Sequence, residues 1–116
     1  MRTFPLFLVA LSGAALLNAC ATSVFSTKEQ DRCERALKVL IQTSRNRNAY
    51  KVDNKAQAPR EIDGQRVTDV TLTYIQDNTR KLVSCYFRPG TTIAVGFTFE
   101  GQRLTDEDTA AVNRRL

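Results

Sequence analysis

Arg66-Val67-Thr68-Asp69-Val70-Thr71-Leu72-Thr73-Tyr74-Ile75-Gln76 is the stretch from which the fold follows. Val70, Leu72 and Tyr74 alternate with Thr71, Thr73 and Ile75, a period of two that places one set on each face of a β-strand. β-branched and aromatic residues dominate it, because such side chains pack well on a pleated surface. Downstream, Asp77-Asn78-Thr79 reads as a turn, after which the alternation resumes. Arg80 to Arg88 sets Val83, Cys85 and Phe87 on one face and Leu82, Ser84 and Tyr86 on the other. Pro89-Gly90 interrupts, and Thr91 to Glu100 groups Ile93, Val95, Phe97 and Phe99. Connections this short join only antiparallel neighbours. Upstream, Asp63-Gly64 is a pair favoured in two-residue hairpin turns. Tyr50 and Val52 alternate with Ala49 and Lys51 as a short strand, and Asp53 to Pro59 reads as loop. The pattern predicts an antiparallel meander of three to four strands.

The segments on either side read as helices. Ser26 with Glu29 forms a capping-box pattern, with Thr27 and Gln30 as a second register. Beyond it, Cys33, Ala36, Leu37, Leu40 and Ile41 recur at helical spacing, and the helix is expected to end near Thr43. Val39 falls off this stripe. At the other end Thr105 caps a short helix whose first turn holds Asp106, Glu107 and Asp108, where negative charge complements the helix dipole. The expected fold class is α+β: an N-terminal amphipathic helix packed on a 3–4-stranded antiparallel meander, with a short C-terminal helix. Glu100-Gly101-Gln102-Arg103 echoes Asp63-Gly64-Gln65-Arg66, which reads as two acidic-Gly turns and not as a repeat.

The beginning of the chain has a different character. Arg2 is followed by an apolar run from Phe4 to Leu17, interrupted at Ser12-Gly13. A positive start, a short apolar stretch and small residues at its end are the marks of a secretory signal. The run is too short for a transmembrane helix, which needs about 20 apolar residues. Leu17-Asn18-Ala19-Cys20 resembles the lipobox of bacterial lipoproteins. The resemblance implies a diacylglyceryl group on the Cys20 thiol, cleavage just before it, and removal of residues 1–19. Residues 20–26 would then be the lipidated N-terminus and tether, and residues 27–116 the small α+β domain. Acyl chains contribute about 0.8 kcal/mol per buried CH₂, so one modified cysteine suffices as an anchor. Ala21, where inner-membrane members of enteric type often carry Asp, implies the outer membrane, with the domain facing the periplasm. Ala19-Cys20-Ala21 also fits ordinary signal peptidase, which would cut after Ala21 and leave a soluble secreted or periplasmic protein.

Either route removes Cys20 from thiol chemistry and leaves Cys33 and Cys85. An even number of cysteines in an oxidising compartment predicts a disulfide. Periodicity supports the pairing, since Cys33 lies on the apolar stripe of the helix and Cys85 on the inner face of the meander.

Little in the chain points to catalysis. Histidine is absent, which removes the commonest general base near neutral pH and the commonest metal ligand. Cys33 and Cys85 are far from a C-x-x-C spacing, no phosphate-binding glycine loop exists, and Asp106-Glu107-Asp108 lacks the alternating ligands of a calcium loop. The expectation is no enzyme activity, no catalytic residue, no cofactor and no metal. The net charge is +5, reduced by one when Arg2 leaves with the leader. Without a Lys/Arg stripe interleaved with aromatics, an exported chain of this charge is not expected to bind nucleic acid. Arg45, Arg47, Lys51, Lys55, Arg60 and Arg66 make its middle basic, offset by Asp53, Glu61 and Asp63. Tyr50, Tyr74 and Tyr86 are the aromatics best suited to an interface. The candidate binding surface is therefore Arg45, Arg47, Tyr50 and Lys51.

The leading functional expectation is a lipid-anchored, non-enzymatic accessory or interaction protein of the bacterial cell envelope, with the membrane and an envelope protein as its partners. The alternatives are a basic module for an anionic envelope ligand (lipopolysaccharide or peptidoglycan) and a tethered hydrolase inhibitor.

Overall fold

The computed structural model describes residues 26–116. Cys20, the expected leader and most of the expected tether lie outside the described residues. The elements in order are α1 (Lys28–Thr43), β1 (Tyr50–Ile62), β2 (Gln65–Gln76), β3 (Thr79–Phe87), β4 (Ala94–Phe99), β5 (Gln102–Arg103) and α2 (Asp106–Arg114). The five strands form one antiparallel sheet in chain order. The class is thus α+β, with five strands in place of the expected three or four.

Two-residue turns join three of the four strand pairs. Asp63-Gly64, Asp77-Asn78 and Glu100-Gly101 all have positive φ at both positions. This is the mirror-image turn that matches the right-handed twist of a hairpin. The echo between the Asp63 and Glu100 segments is a shared turn geometry. Pro89 and Gly90 occupy the longer connection between β3 and β4.

Two strand assignments need correction. Residues 53–59 are not loop: β1 runs through them, paired to β2 from Tyr50↔Gln76 to Ile62↔Gln65 with one register shift between Val52 and Asn54. Alternation failed to reveal the strand because almost every side chain along it is exposed. A strand at the edge of a sheet, with the helix over its neighbours, needs no apolar face. Pro59 is tolerated there because its missing N–H faces the free edge. In β4 the expected row of Ile93, Val95, Phe97 and Phe99 is broken. Cys85 pairs with Phe97 and Tyr86 with Gly96, but Phe87 pairs with Ala94. The bulge at Val95 shifts the parity, so Ala94 turns inward and Ile93 is left exposed.

α1 lies across the inner face of the sheet. Its N-terminus uses the second capping register: the Thr27 hydroxyl accepts from the Gln30 N–H at 3.0 Å, and Gln30 Oε1 accepts from the Thr27 N–H at 3.2 Å. The Ser26 hydroxyl is engaged instead by the Lys55 ammonium. Cys33, Ala36, Leu37, Leu40 and Ile41 are buried as their spacing predicts. Val39 is buried too, because α2 packs beside α1 and brings Val112 into the same core. From the sheet side the core receives Val70, Leu72, Tyr74, Val83, Phe87 and Phe97. Cys33 and Cys85 meet within it and form a disulfide, with Cα atoms 5.8 Å apart.

Among the described residues no helix covers the other face of the sheet, where polar side chains lie around Val67 and Tyr86. Asp69, only 9% exposed, accepts from Arg60 at 3.0 Å and from the Thr71 hydroxyl at 3.2 Å. The Arg103 guanidinium lies 5.2 Å from the centre of the Tyr86 ring. Gly96 makes room for it: a Cβ there would come within 2.8 Å of Arg103 Nε.

Candidate functional site

The segment between α1 and β1 carries two of the four candidate residues, and its conformation is set by amides and a carboxylate. The Ser44 hydroxyl lies 2.8 Å from the Ile41 carbonyl and 2.9 Å from that of Asn46, closing the helix. Asn46 Oδ1 accepts from the Asn48 N–H at 3.1 Å, a local turn of the kind asparagine favours. The buried Gln76 side chain donates to the carbonyls of Asn46 and Asn48 at 3.3 and 2.9 Å. Lys81 in turn donates to Gln76 Oε1 at 3.0 Å. Asp77, in the β2–β3 turn, accepts from the side-chain amides of Asn46 and Asn48 at 2.8 and 2.9 Å. The two asparagines therefore reach toward the sheet end while Arg45 and Arg47, alternating with them, stay exposed.

Those two amide donors hold the Asp77 carboxyl below its ordinary value of 3.8. A carboxylate depressed on folding contributes stability that is complete above the unfolded value and is lost as pH falls through the folded one. The contribution of Asp77 should accordingly fade below pH 3.8. Urea unfolding followed from about pH 6 to about pH 2 checks this. Asp77→Asn keeps a residue tolerant of positive φ, and its acid slope should be shallower than that of the parent. Identical slopes would remove Asp77 from the account.

The structure brings Arg47 and Tyr50 together and leaves Arg45 and Lys51 at the margin. Arg47 Nε donates to the Ser44 carbonyl at 3.3 Å, so its side chain stays near the end of α1. With Lys38, Ile41, Gln42 and Tyr50 it lines an open groove of about 420 Å³. A second groove of about 490 Å³ continues along the same seam and shares Lys38 and Tyr50 with the first. Its walls are Asp31, Glu34 and Arg35 of α1, facing Val52 of β1. Arg45 and Lys51 are exposed but line neither groove.

Tyr50 forms part of the floor. Its ring meets Tyr74 edge-on, with centroids 6.0 Å apart and planes at 78°. Burial, and then the charge of Glu34, raise its phenol above the ordinary 10.0. It is a neutral, half-buried surface at neutral pH. Tyr74 and Tyr86, the other two aromatic candidates, are buried in sheet packing. The Tyr74 hydroxyl finds no protein partner among the described residues, and burial raises its pKa as well.

Charge is distributed unevenly along the seam. Lys55 pairs with Glu34 and Arg60 with Asp69, so two cations of the basic middle segment are neutralised. Among the described residues Arg35, Lys38, Arg45, Arg47 and Lys51 form no ion pair. Arg35 and Lys38, on the helix, complete the site. Tyr50 and Val52 read as a short strand, but nothing in the spacing showed that this strand runs beside the exposed side of α1.

Another groove, of about 400 Å³, lies on the other side of α1. Val39, Phe99, Leu104 and Val112 line it, with Glu100, Asp108 and Arg115 also at its walls. No group of His, Cys, Asp and Glu among the described residues is arranged to hold a metal ion. No helix among them is long and apolar enough to cross a membrane. No family model, curated protein or solved structure matches this chain.

Proposed function

We propose that this protein is a lipid-anchored, non-enzymatic accessory protein of the bacterial cell envelope, facing the periplasm from the outer membrane and holding a partner protein close to it. The observation that carries this reading is the Leu17-Asn18-Ala19-Cys20 motif standing just ahead of the folded domain. A Cys33–Cys85 disulfide, the product of an oxidising compartment, is consistent with it. From Cys20 to Thr27 an extended chain reaches at most about 25 Å, at 3.3–3.6 Å per residue. Tethering at that distance raises the local concentration of a binding surface near membrane partners without any new contact. The basic seam between α1 and β1 is the surface best suited to such a role.

The mature N-terminus tests the anchor. Intact-mass measurement of protein purified from membranes should find an acylated Cys20 as the first residue. Cys20→Ala should move the protein out of the membrane fraction while its thermal midpoint stays the same. A mature chain that begins at Thr22 with no acyl group would replace this reading with that of a soluble exported protein.

A further inference from the structure

We infer that the seam between α1 and β1 is a strand-addition site for an acidic, extended peptide segment of the partner protein. This inference rests on the partner-holding role proposed above. Three independent features meet at the seam. The first is a free strand edge. β1 is the outermost strand, and nothing among the described residues pairs with its far side. The Asp63-Gly64 turn makes Ile62↔Gln65 a hydrogen-bonded pair, and alternation in the unbroken register back to Asn54 turns the backbone of Lys55, Gln57, Pro59 and Glu61 outward. On the other side of the register shift, the Asp77-Asn78 turn sets the same phase in β2 and turns Tyr50 and Val52 outward. Pro59 has no N–H to give, so the usable edge is the half from Tyr50 to Gln57.

The second feature is a wall. α1 runs beside this half, and Lys38, Gln42 and Arg35 face Tyr50 and Val52 across the grooves. A strand laid against the edge would have alternate side chains pointing into that space. Strand addition draws affinity from main-chain hydrogen bonds and specificity from such pockets. The third feature is charge. Arg35, Lys38 and Arg47 are unpaired among the described residues and outnumber Asp31, the one unpaired acid of the groove walls, whereas Glu34 is already bound to Lys55. Lysines on an edge discourage a second copy of the same strand. An acidic strand meets the opposite condition, since its carboxylates complement those cations and speed encounter.

The test uses the disulfide-bonded domain and a fluorescein-labelled peptide of about ten residues, with Glu and Val alternating, so that a strand of this length presents one acidic face. Fluorescence anisotropy should show saturable binding, and hydrogen exchange should slow at the amides of Val52, Lys55 and Gln57. The same peptide N-methylated at alternate residues keeps its charge but cannot complete a ladder, and it should not bind. Reversing the exposed cations (Arg35→Glu, Lys38→Glu, Arg47→Glu) should weaken binding by about tenfold or more with the melting temperature unchanged. Absence of binding would overturn the inference. Equal binding of the N-methylated peptide would do so too, by reducing the seam to a nonspecific charged patch. Slowed exchange at β1 produced by self-association alone, or competition for the seam by lipopolysaccharide but not by the peptide, would likewise reject it. Mass measurement at Cys20 is independent of all these outcomes, so failure of the peptide leaves the anchored-accessory reading standing, and an unmodified Cys20 leaves the peptide site standing.

Discussion

Replacing both cysteines of the staple, Cys33→Ala with Cys85→Ala, should lower the unfolding free energy by about 4 kcal/mol. The bond closes a separation of 52 residues, and most of the loss comes from the larger conformational freedom of the unlinked unfolded chain. Typical domains are stable by only about 5–15 kcal/mol, so the variant should lose a large part of its stability. For a domain of this size the thermal midpoint should fall by something on the order of 20 °C. Both sulfurs are fully buried between α1 and β3, so the alanines also leave a small void that adds to the loss. Urea unfolding of the parent and the variant, at matched pH, measures the difference. A midpoint unchanged by the double replacement would show that core packing alone sets the stability and that the bond is incidental to it.

Phe97→Ala should cost about 3–5 kcal/mol. The ring is fully buried, and Phe97 stands directly across from Cys85 in the β3–β4 register. β4 is anchored to the core chiefly here, because the bulge at Val95 leaves only the small Ala94 to face the core on that side and Ile93 exposed. Truncation should therefore loosen β4 and the α2 contacts that rest on it before the β1–β2 hairpin is affected. Hydrogen exchange should show early opening at β4 and α2 with β2 still protected. Uniform opening of all strands would mean that the sheet responds as one unit. Phe97 and the disulfide are neighbours, so the two effects should not add when combined.

The sequence made some of these elements plain and concealed others, for separable reasons. β2 and β3 were legible because one face of each is pressed against α1, which forces apolar residues to every second position. The disulfide was legible because the same periodicity turned Cys33 and Cys85 inward. β1 was concealed by its position. An edge strand with exposed side chains has no burial to impose a pattern, and Pro59 argued for loop. The parity of β4 was concealed because a bulge is a backbone event that side-chain spacing does not announce. The candidate site was half visible. Arg47 and Tyr50 stood out by type, but the groove needed Arg35 and Lys38 from α1, and the short strand read at Tyr50 and Val52 did not reveal that it runs beside that helix. The pinning of Asn46 and Asn48 by Gln76 and Asp77 joins residues about thirty positions apart and left a single trace, the alternation of Asn with Arg.

Because strand order equals chain order, every pairing in the sheet joins immediate successors along the polypeptide. Such a sheet can zip up one hairpin at a time, each closure spanning few residues and costing little loop entropy. Proteins dominated by near-neighbour pairings reach their native state faster than those that must first bring distant segments together. Here the slow, rate-setting event should be the landing of α1 on β2 and β3, and covalent linkage of Cys33 to Cys85 would then lock in an arrangement that hairpin formation had already prepared.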